Sequence, residues 1–318
     1  MAVDLTLNGS SGNPKSPRPP GARPRAGLRS PGAETRHGTF EASDGTRLYY
    51  SVEGTGQPLI FCYGLVCSSL HWTYQIDHFR RSHQAIWMDY RGHQNSELPQ
   101  DFSTLTIETL ASDLDQLCET LGIGPAVLLG HSMGVNVVLE FQRRYPHRVK
   151  AMVLANGTPR SPLETMFSTN AFQKVFEGLR LMQRLAPGTY RRLWRLQKGN
   201  QLIRSLMLLG GFNPHLTPIE DVGLYVDQVA DLDPEVLLRL MASYENWDAT
   251  SWLHTLRIPT LIISGREDRV IPLAQQELMH QLIPGSEFFP VAHGSHSPQM
   301  DLPGLVNARI SEFLKKLP

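Results

Sequence analysis

Apolar residues recur along this chain in two patterns that alternate from residue 37 onward. Short apolar or β-branched runs predict strands, and longer stretches with apolar residues three and four positions apart predict helices. The predicted strands are 37–42, 47–53, 58–62, 84–89, 126–130, 151–156, 258–265 and 287–292. The predicted helices between and after them are 69–80, 106–121, 133–145, 272–283 and 303–316. The first two strands form a predicted hairpin. Because the other strands are apolar on both faces and alternate with helices, we expect an α/β fold with a mostly parallel eight-stranded sheet and helices on both faces.

The alternation stops at Pro159 and resumes only at residue 258. The segment between is helical in pattern, with apolar residues at three- and four-residue spacing at Phe172, Val175, Phe176, Leu179, Met182 and Leu185. An insertion of this length exceeds an ordinary connecting loop. We therefore predict a helical cap at 159–250, inserted after the sixth strand, on a core made of 37–158 and 251–318. We expect it to cover the carboxyl ends of the strands, where open α/β sheets place their sites.

Residues 1–36 differ in composition from the rest of the chain. They hold six prolines and five glycines, and six Lys or Arg against two acids. Such a segment buries too little apolar surface to offset its chain entropy, so we expect a disordered tail. No apolar stretch of a secretory signal follows the basic residues. An organelle-targeting segment stays open as an alternative, although the prolines oppose the amphipathic helix that it needs.

Charge and cysteine content narrow the expected partners and compartment. Thirty basic residues balance thirty acidic ones, so no overall field favours nucleic acid or anionic membranes, and we expect a small, roughly neutral partner. Cys62, Cys67 and Cys118 form no C-x-x-C pair, and we expect free thiols in a reducing compartment such as the cytoplasm. The uncharged run 120–139 contains Pro125 and four glycines, so we predict strand, turn and helix there and no transmembrane segment. The sequence leaves the oligomeric state open.

A serine between two glycines stands where the strand 126–130 gives way to a helix. The stretch "VLLGHSMG" matches a nucleophile elbow, a tight turn that points the Ser132 hydroxyl away from the sheet and aims the Met133 amide at the same space. Gly130 and Gly134 are expected where a β-carbon would collide with neighbouring chain. The alternative is that Ser132 only caps the helix.

A serine hydroxyl needs a base to remove its proton, and the base needs an orienting carboxylate. Asp268 follows the strand 258–265 and His296 follows the last strand, in the chain order that this type of site shows. Glu267 and His293 are the neighbours that compete for these two roles. His293 and His296 could also suggest a metal, but no third ligand has matching spacing, so we expect no metal site.

Residues 37–318 resemble the α/β-hydrolase superfamily, in its group with a serine nucleophile and a helical cap. The matching segments, in order, are "MDYRGHQNSELP", "VLLGHSMG", "ISGREDRVIP" and "SHSPQMDLPGLVNARISEFL". The resemblance favours His296 over His293 and implies that the Leu65 backbone amide completes an oxyanion hole with Met133. The family usually has His-Gly before that amide, whereas this chain has Tyr63-Gly64, which implies a phenol beside the substrate pocket.

The expected function is a serine hydrolase that cleaves a carboxylic ester or a related acyl bond without a metal or organic cofactor. The resemblance leaves lactonases, C–C bond hydrolases, perhydrolases and acyltransferases open, because they share this triad. Haloalkane dehalogenases and epoxide hydrolases need a carboxylate in place of the serine. A capped pocket suits a small hydrophobic acyl or aryl substrate. The alternative from another class is a small-molecule receptor that keeps the fold without catalysis.

Overall fold

A computed structural model of the protein describes residues 35–163, 165–168 and 171–318. Eight strands form one sheet in the spatial order β1-β2-β4-β3-β5-β6-β7-β8. The strands are β1 (Thr35–Glu41), β2 (Arg47–Glu53), β3 (Pro58–Cys62), β4 (Gln84–Met88), β5 (Ala126–His131), β6 (Val149–Ala155), β7 (Thr260–Gly265) and β8 (Glu287–Val291). The prediction of eight strands is confirmed.

From β3 to β8 the α-helices alternate with the strands except in one long insertion. They are α1 (Thr73–Phe79), α2 (Ile107–Leu121), α3 (Met133–Arg144), α4 (Ala171–Leu185), α5 (Pro187–Arg195), α6 (Gln201–Gly211), α7 (Ile219–Asp231), α8 (Pro234–Asn246), α9 (Leu273–Leu282), α10 (Pro298–Asp301) and α11 (Pro303–Lys315). The predicted helix at 69–80 is two elements, because a short 3-10 helix at Ser69–Trp72 precedes α1. Among the described residues, no helix combines the length and the apolar character needed to cross a membrane.

Most of the sheet is parallel. β1 pairs with β2 and β2 with β4 in antiparallel fashion, whereas every other pair of neighbouring strands is parallel. All six residues of β5 are buried, since helices cover this central strand on both faces. α2 begins where the Thr106 hydroxyl accepts a hydrogen bond from the Thr109 amide, and it ends at Gly122 in a left-handed conformation.

The hairpin begins earlier than the sequence pattern indicates. β1 starts at Thr35, and Thr35 and Arg36 pair with Glu53 and Val52 of β2, although the sequence assigned both to the tail. Both residues are polar, so they show no apolar pattern that would predict a strand. They belong to β1 because they pair with the neighbouring strand β2. The rest of the predicted tail, residues 1–34, lies outside the described residues.

Helices α4 to α8 follow β6 and precede β7, in the segment where the cap was predicted, and we use the word cap for residues 159–250. This segment is tied to the sheet domain by side-chain hydrogen bonds. The Ser68 hydroxyl donates to Gln228 at 2.6 Å, and the Tyr74 hydroxyl donates to Asp221 at 2.8 Å. Both acceptors lie on α7, so this helix rests on the loop and helix that follow β3.

The carboxyl ends of β5, β6, β7 and β8 meet at one edge of the sheet, because these four strands are parallel neighbours. The loops that follow them contain Ser132, Asn156, Asp268 and His296 respectively. Residues that are up to 164 positions apart in the chain are thereby brought to one place.

Candidate active site

Ser132 occupies a strained turn between β5 and α3. Its φ is 55° and its ψ is −125°, a backbone conformation that side chains with a β-carbon rarely adopt. The flanking glycines allow the turn: a β-carbon on Gly134 would lie 2.3 Å from the Cys62 carbonyl oxygen, and one on Gly130 would lie 2.7 Å from the Gly134 carbonyl oxygen. The Ser132 side chain makes no capping hydrogen bond to α3, so the turn presents a hydroxyl and does not merely start a helix.

The structure brings Ser132, His296 and Asp268 together in a chain of hydrogen bonds. His296 Nε2 lies 3.0 Å from Ser132 Oγ, and His296 Nδ1 lies 2.9 Å from Asp268 Oδ2. Since a carboxylate only accepts hydrogen bonds, the Nδ1 atom carries the proton and Nε2 is free to accept from the serine hydroxyl. The Asp268 carboxylate is fully buried, whereas the imidazole retains slight exposure.

The two residues that compete for these roles in the sequence lie outside this chain of hydrogen bonds. His293 is 75% exposed at its side chain, and its Nδ1 atom lies 3.2 Å from Glu267 Oε1 at the protein surface. The structure therefore places His296 beside Ser132 and pairs His293 with the neighbour of Asp268.

Both oxygens of the Asp268 carboxylate have donors. Oδ1 accepts from the backbone amides of Val270 at 2.8 Å and Ile271 at 2.9 Å. Oδ2 accepts from Asn156 Nδ2 as well as from His296. A buried carboxylate with four donors is held in one orientation, and that orientation fixes the plane of the imidazole.

Asn156 also belongs to this site, although its sequence pattern did not indicate a functional residue. Its side chain links the end of β7 and the loops after β7 and β8: Nδ2 donates to Asp268 Oδ2 and to the Ser295 carbonyl oxygen at 2.9 Å, and Oδ1 accepts from the Gly265 amide at 3.1 Å. Its φ is 49°, a left-handed conformation that asparagine tolerates better than most residues. The sequence signal was an Asn-Gly pair directly after a buried strand, which also fits an ordinary turn.

Two backbone amides beside the serine have no acceptor among the described residues. Met133 is the first residue of α3, so its N–H has no partner within the helix. The Leu65 N–H likewise has no hydrogen bond within the described ranges. Gly64 brings the Leu65 loop close, because a β-carbon on Gly64 would lie only 2.9 Å from Ser132 Cβ. An oxygen that gained negative charge next to Ser132 could accept from both amides.

Tyr63 faces the interior of the protein. Its side chain is fully buried, its hydroxyl oxygen accepts from the Tyr90 amide at 2.7 Å, and its ring lies 4.4 Å from the Tyr90 ring. Burial raises the Tyr63 pKa well above its ordinary value, so the phenol stays neutral. The sequence implied a phenol beside the substrate pocket. In the structure the Tyr63 ring packs against Tyr90 and its hydroxyl bonds the Tyr90 amide, whereas Gly64 lies close to the Ser132 side chain.

A pair of buried histidines lies behind His296. His131 Nε2 donates to the His296 carbonyl oxygen at 2.8 Å, and the His131 ring stacks on His71 at 5.4 Å. Burial lowers the pKa of His71 to about 3 and the pKa of His131 well below its ordinary value, with the charge of His296 acting in the same direction. Both rings are therefore neutral and support the His296 loop as packing and hydrogen-bonding groups.

The buried thiols offer no competing nucleophile. Cys62, Cys67 and Cys118 are free and buried, and desolvation raises the pKa of each to about 12. A thiol in this state carries almost no thiolate at neutral pH. These three thiols therefore supply no thiolate that could compete with the Ser132 hydroxyl.

Comparison with known proteins gives two relatives named for epoxide hydrolysis. Epoxide hydrolase 3 of Mus musculus is 32% identical over 136 residues, which cover 42% of this chain and 37% of that protein. Bifunctional epoxide hydrolase 2 of Sus scrofa is 25% identical over 306 residues, which cover 88% of this chain and 55% of that protein. The chain thus spans about half or less of the length of these two relatives.

Solved structures and a family model agree with the fold described above. An esterase from Thermogutta terrifontis with malate bound aligns with a TM-score of 0.69 and 26% identity, over 88% of this chain and 98% of that one. The model of the alpha/beta hydrolase fold family matches residues 57–303, which is well over half of the chain and contains every residue of the site. The chain belongs to the alpha/beta hydrolase family.

Proposed function

We propose that the protein is a serine hydrolase that cleaves a carboxylic ester or a related acyl bond. The observation that carries this proposal is the chain of hydrogen bonds from Ser132 through His296 to the buried Asp268 carboxylate. A serine hydroxyl, a base that can accept its proton and a carboxylate that orients the base are the three groups that acyl transfer to serine needs.

In the first step Ser132 Oγ attacks the carbonyl carbon of the ester while its proton moves to His296 Nε2. The carbonyl oxygen becomes negatively charged, and the amides of Leu65 and Met133 stabilise it. Loss of one such donor typically costs about a hundredfold to a thousandfold in kcat. Asp268 stabilises the imidazolium that forms.

In the second step His296 returns its proton to the alcohol oxygen, the C–O bond breaks, and an acyl-enzyme forms on Ser132. A water molecule then gives a proton to His296 and attacks the acyl carbon. Collapse of the second tetrahedral intermediate releases the carboxylic acid and restores the serine hydroxyl. These steps need no metal ion or organic cofactor, because the chain's own groups move every proton.

The nucleophile argues against epoxide opening, despite the names of the two relatives. A carboxylate that attacks an epoxide forms an ester, which water can hydrolyse to free the enzyme. A serine alkoxide would form an ether, which water does not cleave under the same conditions, so the enzyme would stop after one turnover. With Ser132 at the elbow, an acyl substrate is the one whose covalent intermediate can be released.

The aromatic residues of the cap near the site support a small hydrophobic acyl or aryl group as the substrate. Phe212 and Tyr225 are buried and pack against the ring of His71 at 6.0 Å and 4.9 Å. His71 in turn stacks on His131, whose ring lies 5.0 Å from that of His296. An apolar surround of this kind favours an uncharged group close to the reacting carbonyl.

The matched pair His296→Ala and His293→Ala tests the proposal. With short-chain p-nitrophenyl esters we expect His296→Ala to lower kcat on the order of a millionfold, because the serine loses its base. We expect His293→Ala to stay within about twofold of the wild type, since its ring is 75% exposed and pairs with Glu267 at the surface.

Steady-state kinetics and circular dichroism on both variants complete the test. A large loss in His293→Ala with near-normal turnover in His296→Ala would contradict the assigned base. Turnover of styrene oxide in preference to every ester would contradict the acyl substrate class.

A further inference from the structure

Large apolar side chains that face solvent are concentrated in the cap. Of the fourteen such residues in the described part of the chain, eleven lie between Val175 and Leu224. The sheet domain contributes only Leu98 and Leu305. An exposed apolar surface of this kind commonly marks a contact with a partner or a membrane.

α4 carries one stripe of these residues. Val175, Leu181 and Leu185 are exposed, the last of them by 73%, and Gly178 lies between them on the same side of the helix. The opposite side of α4 is the buried one, since Phe176 is almost completely covered. α4 is therefore apolar both toward the protein and toward solvent, unlike an ordinary amphipathic helix.

α6 and the segment around α5 repeat the arrangement. Leu202, Leu206 and Leu209 follow each other at spacings of four and three residues and are all more than half exposed. Leu193 of α5 and Leu196, at its end, are exposed as well. The three helices thus present leucine to solvent along their outer sides, and we call these sides the outer surface of α4, α5 and α6.

The charges on this surface are mostly positive, with Glu177 of α4 as its exposed acid. Residues 178–219 contain seven Lys or Arg and no Asp or Glu. Four of the seven form ion pairs with acids of the loop and helices that follow: Arg180 with Glu245, Arg191 with Asp233, Lys198 with Asp231 and Arg204 with Asp227. Arg184, Arg192 and Arg195 are exposed and have no ion pair within the described residues. The balanced charge of the whole chain conceals this local excess of cations.

We propose that the outer surface of α4, α5 and α6 docks on an anionic lipid bilayer. Exposed leucines would enter the boundary between headgroups and acyl chains, and the unpaired arginines would bind lipid phosphates. Charge complementarity favours the bilayer over a second copy of the chain, because two such surfaces would bring Arg184, Arg192 and Arg195 against like charges. The residues involved lie outside the triad, so this proposal is independent of the reaction at Ser132.

Vesicle flotation of the full chain tests the proposal. We expect the protein to float with phosphatidylcholine vesicles that contain about 30% phosphatidylserine and to stay in solution with pure phosphatidylcholine, because the surface charge of the first attracts the arginines. Raising the salt to about 0.5 M should weaken the binding, since added ions screen exposed charges.

Two sets of variants separate the contributions of charge and apolar contact. The triple variant Arg184→Gln, Arg192→Gln and Arg195→Gln should lower vesicle affinity about a hundredfold, at about fivefold for each arginine. The double variant Leu185→Gln and Leu202→Gln should lower it roughly tenfold or more. All five side chains are exposed, so thermal melting should be close to that of the wild type.

The matched control is Leu98→Gln with Leu305→Gln, which removes exposed leucines from the sheet domain and should leave vesicle binding unchanged. Failure of the wild type to float with anionic vesicles would overturn the proposal, as would binding that persists in both cap variants. Concentration-dependent dimers that dissociate in the leucine variant, without vesicle binding, would assign this surface to a second copy of the chain instead.

Discussion

The edge of the sheet around Ser132 and the outer surface of the cap are packed in opposite ways. At the sheet edge, a β-carbon on Gly134 would lie 2.3 Å from the Cys62 carbonyl oxygen. On α4, a β-carbon on Gly178 would meet no atom of the described residues within 4 Å. Close packing holds hydrogen-bonding groups at fixed distances, which is what a chain of proton transfers requires. A loosely packed apolar surface does not hold groups at fixed distances. Its exposed side chains can instead contact a partner outside the protein.

Alanine substitutions at Gly134 and Gly178 test this difference in packing. In Gly134→Ala the new β-carbon would overlap the Cys62 carbonyl oxygen, so the free energy of unfolding should fall by about 3 kcal/mol or more. Gly178→Ala lies in an exposed helix interior and should raise it by about 0.5 to 1 kcal/mol, since alanine loses less backbone entropy. Urea unfolding measures both values, and equal effects at the two positions would show that the packing difference is not real.

Asn156 tests how tightly the loops at the sheet edge are held. Asn156→Ala removes a donor to Asp268 and the link between the loops after β7 and β8. We expect kcat for an ester to fall on the order of a hundredfold with KM nearly unchanged, because a small displacement of the base affects the transition state more than binding.

The matched control for Asn156 is Asn246→Ala at the end of α8, where the amide only donates to the Ala242 carbonyl oxygen at an exposed position. This variant should retain wild-type kcat. If both asparagine variants lost kcat equally, the effect would be one of general stability and not of positioning.

The buried histidines predict a smaller, pH-dependent effect. The His71 pKa is about 3 in the folded protein, below its ordinary value near 6.5. Between pH 3 and pH 6.5, His71 therefore binds a proton in the unfolded chain but not in the folded protein. The stability that neutral His71 contributes is therefore complete above pH 6.5 and is lost as the pH falls toward 3. Between pH 7.5 and pH 5.5 the contribution of His71 to the free energy of unfolding should fall by about 1.4 kcal/mol.

Urea unfolding at pH 7.5 and 5.5 checks this value. In His71→Phe the difference in unfolding free energy between the two pH values should shrink by about 1.4 kcal/mol, whereas His131 continues to contribute to it. An unchanged difference would mean that His71 takes up its proton in the folded protein as readily as in the unfolded chain.

Much of the sheet could be predicted because its strands carry a local signal. Buried parallel strands such as β5 and β7 are continuous apolar runs, and each is bounded by glycine or polar residues. The positions of Ser132, Asp268 and His296 followed from these strands, since each lies in the loop after one of them. Their proposed roles continue to rest on geometry and chemistry.

What the sequence did not reveal depends on contacts across distant loops. Asn156 resembles a turn residue until its amide meets Asp268 and Ser295, and Tyr63 resembles a pocket residue until its hydroxyl meets Tyr90. Helical spacing in α4 correctly predicts a helix, but it cannot tell the buried side from the exposed one when both sides are apolar.

Labelling with a fluorophosphonate probe tests whether Ser132 is an activated nucleophile. In the folded wild-type protein we expect one covalent adduct, located on Ser132 by peptide mass analysis, and none in Ser132→Ala. Heat-unfolded protein should also stay unlabelled, because activation needs His296 and Asp268 in place. A folded wild type that shows no adduct, or an adduct that persists in Ser132→Ala, would contradict an activated nucleophile at Ser132.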